Sequence, residues 1–257
     1  MSRLIPMTLA ALMCVSAASA QAPPAPAAKP PAPAAPAATT PAAPAAKPPA
    51  PAAPAAPAAS AAAARPVDER PMYGGVARTG EMKAADDKFI AEATAQPGGR
   101  AAAVDRTIEA AWKALREGGD AATAMKRFNH AWLLDPEDGR AYHGFATVAL
   151  ERDNDPAEAE KLFRRAMAGP KSSHAAFTDL GRLYLTTSRA DAAVPVLVKA
   201  VALPDVSPDA RALLAMARAE SGDTAGACAD AKQVGAAHEK LRQHAAAILR
   251  LPGCATP

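Results

Sequence analysis

One spacing of small and large apolar residues returns three times along the chain. Ala124, Phe128 and Ala131 stand four and three apart; Ala159, Phe163 and Ala166 repeat the triplet 35 residues on, and Ala193, Leu197 and Ala200 repeat it after another 34. Apolar positions at that spacing fall on one face of an α-helix. The small members let two helix axes approach, and the large one fills the groove that opens between them. A second helical run precedes each triplet. Val104, Ile108, Ala111, Trp112 and Leu115 form the first, Tyr142, Phe145 and Ala149 the second, and Phe177, Leu180, Gly181 and Tyr184 the third. Turn residues part the members of a pair, as in Gly118-Gly119-Asp120 and the run 153–156 that ends in Pro156. The pattern therefore predicts helical hairpins whose second helices cover 121–134, 157–168 and 190–203, with Pro195 near the start of the last, where its missing amide costs little.

The pattern weakens at both ends. Leu213, Leu214 and Ala215 precede Gly222-Asp223, and Ala227, Ala231 and Val234 take the triplet places of a degraded fourth hairpin. Residues 236–251 predict a last amphipathic helix with Leu241, Ala245, Ile248 and Leu249 on one side, ended by Pro252-Gly253. At the other end, residues 81–95 predict a helix with Met82, Ala85, Phe89 and Ala93 on one face, placed to cover the first hairpin. Between 66 and 80, Pro and Gly break every period, which predicts an arm lying extended against the first helices with Tyr73 packed.

A period of 34 to 35 built on small-x3-large-x2-small resembles the tetratricopeptide repeat, a helical hairpin that stacks into a solenoid. Phe177-x2-Leu180-Gly181-x2-Tyr184 is similar to its W-x2-L-G-x2-Y pattern. The resemblance covers residues 105–235 and implies an all-α fold: a right-handed α-solenoid of three to four hairpins, with capping helices in 66–104 and 236–257. More narrowly, Tyr73-Gly74-Gly75, the run 127–136 and Tyr142-His143-Gly144-Phe145 resemble a group of small exported bacterial proteins of this class, of unassigned role. In the repeat class, partners dock in the concave groove lined by the first helices. The matching positions are Glu109, Lys113, Arg140, His143, Thr147, Thr178 and Arg182, several of them polar or basic, which implies an extended or acidic peptide ligand. Gly144, Ala175 and Asp179 stand where the carboxylate-clamp subclass carries Lys and Asn, which speaks against that activity.

Composition changes the picture most ahead of the repeats. Arg3, an apolar run from Leu4 to Val15 and Ala18-Ser19-Ala20 read as a secretory signal over 1–20, cleaved before Gln21; the run is too short to span a bilayer stably. Lipid anchoring at Cys14 is disfavoured, because Met13 precedes it where a small residue is expected. Residues 21–65 are almost wholly Ala and Pro, and the thirteen-residue stretch 25–37 recurs letter for letter at 43–55. Proline removes amide donors and fixes φ, so the expectation is a disordered, semi-rigid linker. It reaches about 140 Å when fully extended. Arg3, Lys29, Lys47 and Arg65 belong to these segments, which leaves 25 cations to 26 acids in the rest. Such a balance argues against nucleic acid, which demands a concentrated cationic face.

Two cysteines remain beyond the signal, Cys228 and Cys254, and an exported compartment permits them to form a disulfide. The five histidines show no H-x3-H or H-E-x2-H spacing, and no nucleophile elbow, phosphate loop or Cys/His arrangement stands in the chain. No metal, cofactor or catalytic residue is expected. The sequence thus reads as an exported, periplasmic adaptor or assembly scaffold for a protein or extended peptide of the cell envelope, with no transmembrane span after signal cleavage. The alternatives are an envelope spacer tethered through its Pro/Ala/Lys segment and, behind that, a small-ligand receptor or enzyme.

Overall fold

The computed structural model describes residues 64–254 apart from Val206 and Ala236; the expected signal, Cys14, the linker up to residue 63 and the tail beyond Cys254 lie outside the described residues. Ten α-helices follow two short 3₁₀ turns, and there is no strand among the described residues. They are α1 (Gly80–Ala95), α2 (Gly99–Gly118), α3 (Ala121–Leu134), α4 (Gly139–Glu151), α5 (Pro156–Ala166), α6 (His174–Thr186), α7 (Ala190–Val201), α8 (Ala210–Glu220), α9 (Thr224–Ala231) and α10 (Glu239–Ile248). Helices α2 and α3, α4 and α5, α6 and α7, and α8 and α9 pack as hairpins, and each second helix also packs on the first helix of the next hairpin. The weak fourth repeat therefore closes like the others.

The second helices begin where the sequence supplies a cap. Asp120, Asp155 and Asp223 each accept a hydrogen bond from the amide three residues on, at Thr123, Glu158 and Gly226, the N-cap geometry that satisfies an orphan donor. In the third hairpin that place is Arg189, and no side chain caps α7. Their packing faces are those of the triplets: Ala124, Phe128, Ala131, Ala159, Phe163, Ala166, Ala193, Leu197 and Ala200 are all buried. Two glycines let neighbouring side chains in. A Cβ on Gly144 would stand 2.2 Å from the Phe128 ring, and one on Gly181 would stand 2.4 Å from Leu197.

The structure corrects several local expectations. Helices α5, α7 and α10 stop short of the predicted ends; Gly169-Pro170 and Pro204 follow the first two and cannot extend them. Helix α2 starts at Gly99, so the first hairpin begins ahead of residue 105. Pro195 lies inside α7 rather than near its start, at a position whose amide would bond the carbonyl of Asp191. The inner face of α1 is not the apolar stripe expected: Met82 and Ala85 are exposed, while Phe89, Ile90 and Ala93 pack on a cluster formed mainly by α2 and α3, and Asp86 is buried. Asp86 is tolerated there because Arg78 donates to both its oxygens, each at 2.7 Å.

The arm ahead of α1 packs Tyr73 but is not extended. Val67–Glu69 and Pro71–Gly75 form 3₁₀ turns, and Met72, Tyr73 and Gly74 take left-handed φ of 50°, 56° and 65°. Positive φ strains non-glycine residues, and one side chain on α3 holds the turn in place. Asn129, fully buried, donates through Nδ2 to the carbonyls of Asp68 and Arg70 at 2.9 Å and accepts from the Tyr73 amide at 3.3 Å. Ion pairs from Lys126 to Asp68 (3.1 Å) and from Arg65 to Asp153 (2.8 Å) extend the seam to the second hairpin. At the other end the structure pairs Cys228 of α9 with Cys254 beyond α10, their Cα atoms 5.3 Å apart. No described helix is long and apolar enough to cross a membrane.

Candidate functional site: the groove of the first helices

Helices α2, α4, α6 and α8 touch in succession, whereas the second helices do not approach one another comparably. The stack therefore curves with its first helices inside. Three hollows lie along the first part of that inner face, of about 500, 350 and 370 Å³. Arg140 lines the first and second, while Trp112 and Arg116 line the second and third, so the three form one trough.

The seven positions expected in the groove fall into three groups. Glu109 and Lys113 are exposed on α2, with Lys113 facing Glu117 at 3.9 Å. Arg140 is exposed and Thr147 and Arg182 are half-buried, and Arg140 and Thr147 line hollows; the Thr147 hydroxyl donates to the His143 carbonyl at 3.0 Å. His143 and Thr178 are buried, at 6% and 3% exposure, so neither offers an open polar surface. They lie in the wall because α4 and α6 meet there.

The charges correct the expectation of a basic groove. Arg140 donates to both oxygens of Asp138 and sits 2.8 Å from Asp105. These bonds to Asp138, opposed by burial and aided by Asp105, raise the Arg140 guanidinium well above its usual range. Arg182 pairs with Asp209 at 3.1 Å and Asp179 at 3.7 Å. Burial pushes Asp209 up, but bonds from His238 and Arg182 outweigh it and hold the carboxyl below its usual range. Lys171 pairs with Asp135, and His174 with Asp205. Asp138 and Asp179 stand close to their cations in sequence, but Asp105, Asp209, Asp135 and Asp205 come from other turns or hairpins, so a window of sequence displays only part of the match.

His143 is fixed on all sides. Its ring lies 5.1 Å from Trp112 and 5.9 Å from Phe163, Nε2 is 2.8 Å from Asp179, and Nδ1 is 3.3 Å from the Ser173 hydroxyl. Ser173 is the N-cap residue of α6 but makes no cap bond. Serine, histidine and aspartate in a line have the composition of a nucleophile, base and acid. Ser173, at 5% exposure, and His143 form part of the wall of the 350 Å³ hollow, and the trio ties α4 to α6. No group of three or more His, Cys, Asp or Glu side chains able to hold a metal occurs among the described residues.

Among the groove residues that repeat spacing did not single out, Trp112 and Arg116 each line two hollows. Helical periodicity assigns Trp112 to the core, and its ring does meet Phe128 edge-on at 5.2 Å. It is nevertheless half-buried, lines two hollows and carries the Arg116 guanidinium over its ring at 4.6 Å. The i, i+4 relation of an aromatic and an arginine was the available signal.

No protein-family model and no curated protein sequence matches the chain. Among solved structures, the chain is similar to Pseudomonas aeruginosa PilF, with a TM-score of 0.51 and 18% identity over 58% of this chain and 69% of that one. It is also similar to YrrB, a TPR protein with an unusual peptide-binding site, with a TM-score of 0.46 and 21% identity over 64% of this chain and 82% of that one. The repeated triplets, the hairpins they form and the way those hairpins stack give this chain the tetratricopeptide-repeat fold.

Proposed function

We propose that the chain is an exported protein-binding adaptor or assembly scaffold, holding an extended segment of a cell-envelope partner along the trough of its first helices. The continuous trough carries this reading: three hollows joined through Arg140, Trp112 and Arg116 offer a peptide successive side-chain pockets on a preformed wall. A solenoid presents such a wall without rearrangement, so modest contacts add along it. The apolar run before Ala18-Ser19-Ala20 supports export, and the Cys228–Cys254 pairing suits an oxidising compartment. The reading assigns chemistry to no residue and needs no cofactor.

Site-specific photocrosslinking in the native envelope tests it. Probes at Glu109 and Lys113, exposed on α2, are expected to capture one protein partner that probes at Lys161 and Arg164 on α5 do not. Equal capture from both helices, or capture that depends only on residues 21–65, would overturn the groove reading and favour the spacer.

A further inference from the structure

We infer that the trough reads an aspartate or glutamate side chain within an extended partner segment, and that Arg116 is the residue that reads it. This deepens the groove reading and rests on it. The other cations along this face already have partners: Arg140 has Asp105 and Asp138, Arg182 has Asp179 and Asp209, Lys171 has Asp135, His174 has Asp205, and Arg100 donates to the Leu134 carbonyl at 2.6 Å. Among the described arginines that line the trough, Arg116 alone has its guanidinium on an aromatic face and no acid or carbonyl against it. A guanidinium stacked on an indole keeps its in-plane N–H groups directed outward, a fork that matches a carboxylate with two parallel bonds. Its side-chain freedom is already reduced by the stacking, so less is lost when a ligand arrives.

Position decides which carboxylate. Trp112 and Arg116 stand where the 350 and 370 Å³ hollows join, so a segment lying in the trough continues past them in both directions. That geometry takes a side chain in mid-segment rather than a chain terminus. The two hollows differ in charge. On one side Asp205 is held by His174, and Ser172 adds a hydroxyl; on the other, Glu151 lines the hollow with no cation against it among the described residues. The acidic side chain therefore enters the 350 Å³ hollow. An apolar or basic neighbour enters the 370 Å³ hollow beside Leu115, Thr147 and Glu151.

The probe is a phage-displayed library of linear peptides selected on the purified full chain, followed by binding of the enriched peptides, acetylated and amidated, to variants. Enriched sequences are expected to share one Asp or Glu flanked by an apolar or basic residue. Their binding should fall about tenfold in Arg116→Gln, be partly kept in Arg116→Lys and weaken with salt. Lys161→Gln on α5 serves as the control and should leave binding unchanged. Arg116→Glu should select lysine or arginine in place of the acid. Peptides that crosslink at Glu109 yet bind Arg116→Gln unchanged, or that need a free C-terminal carboxylate, overturn the assignment of Arg116 while leaving the groove reading intact. Enrichment of peptides that crosslink only on α5 overturns both.

Discussion

Asn129→Ala removes the side chain that holds the arm in its left-handed turn, and the structure sets the size of the effect. Three hydrogen bonds disappear, those to the Asp68 and Arg70 carbonyls and that from the Tyr73 amide. At about 1 kcal/mol each, closure of the arm weakens by about 3 kcal/mol, or roughly a hundredfold in its opening equilibrium. The strain at Met72 and Tyr73 then works toward release, since left-handed backbone costs about 1–2 kcal/mol per non-glycine residue. What resists is the burial of Tyr73, with the Arg78 guanidinium 3.9 Å above its ring, and the ion pairs Lys126–Asp68 and Arg65–Asp153. The four hairpins do not depend on the arm for their own packing, so the loss is local. Hydrogen exchange read on fragments covering 65–78 and, for reference, α8 is the assay. The expected result is exchange at Tyr73 faster by about two orders of magnitude, α8 unchanged, and only a small shift in melting temperature. Unchanged exchange at Tyr73, or a fall in α8 protection matching that of the arm, would refute the assignment of Asn129 as a local latch.

Three more outcomes follow from the packing and charge described above. Gly144→Ala should destabilise more than Gly181→Ala in denaturant melts, because the added methyl meets the Phe128 ring, wedged against Trp112 and Phe145, whereas Leu197 can change rotamer. Overpacking of about 1–3 kcal/mol should outweigh the roughly 1 kcal/mol gained in helix propensity at Gly144. Burial pushes Glu160 up, but bonds from Arg189, Tyr184 and Arg164 outweigh it and hold the carboxyl at about 2. A lowered folded pKa gives stability that is present above the ordinary value of 4.5 and lost as pH falls toward 2, so Glu160→Gln should flatten the acid limb of the stability profile in that window. Reducing the Cys228–Cys254 bridge, which spans 26 residues, should cost about 3 kcal/mol and raise exchange in α10 before any other helix, as mass spectrometry can follow.

The hairpins were legible because their determinants are local. Helix α3 runs over the predicted 121–134, with Asp120 capping its start and Asp135-Pro136 closing its end, and its buried face is the triplet. The arm was not legible: nothing in Met72 or Tyr73 advertises positive φ, and the side chain that bonds the Tyr73 amide and the Asp68 and Arg70 carbonyls, Asn129, stands far along the chain. Pro195 misled because exposed proline in a helix held by tertiary packing is tolerated further in than propensity alone allows. The groove was legible in place but not in character. Arg140 and Arg182 read as free cations until the fold brings Asp105 and Asp209 to them from neighbouring hairpins. Thr178 and His143 read as groove polar groups until α4 and α6 close over them.

The seam between the arm and the second helices also decides how the domain bears load. Arg65, among the first described residues, is bonded to Asp153 in the turn between α4 and α5, and Arg152 beside it donates to the Glu69 carbonyl at 3.0 Å. Tension applied at Arg65 therefore enters the fold at the second hairpin as well as through α3, ahead of α1 and α2 in the chain. Several bonds distributed along the arm share that pull, so the anchorage yields as a group rather than unzipping one contact at a time. A domain so fastened can be tugged from its N-terminal side while the inner face of its first helices keeps its shape.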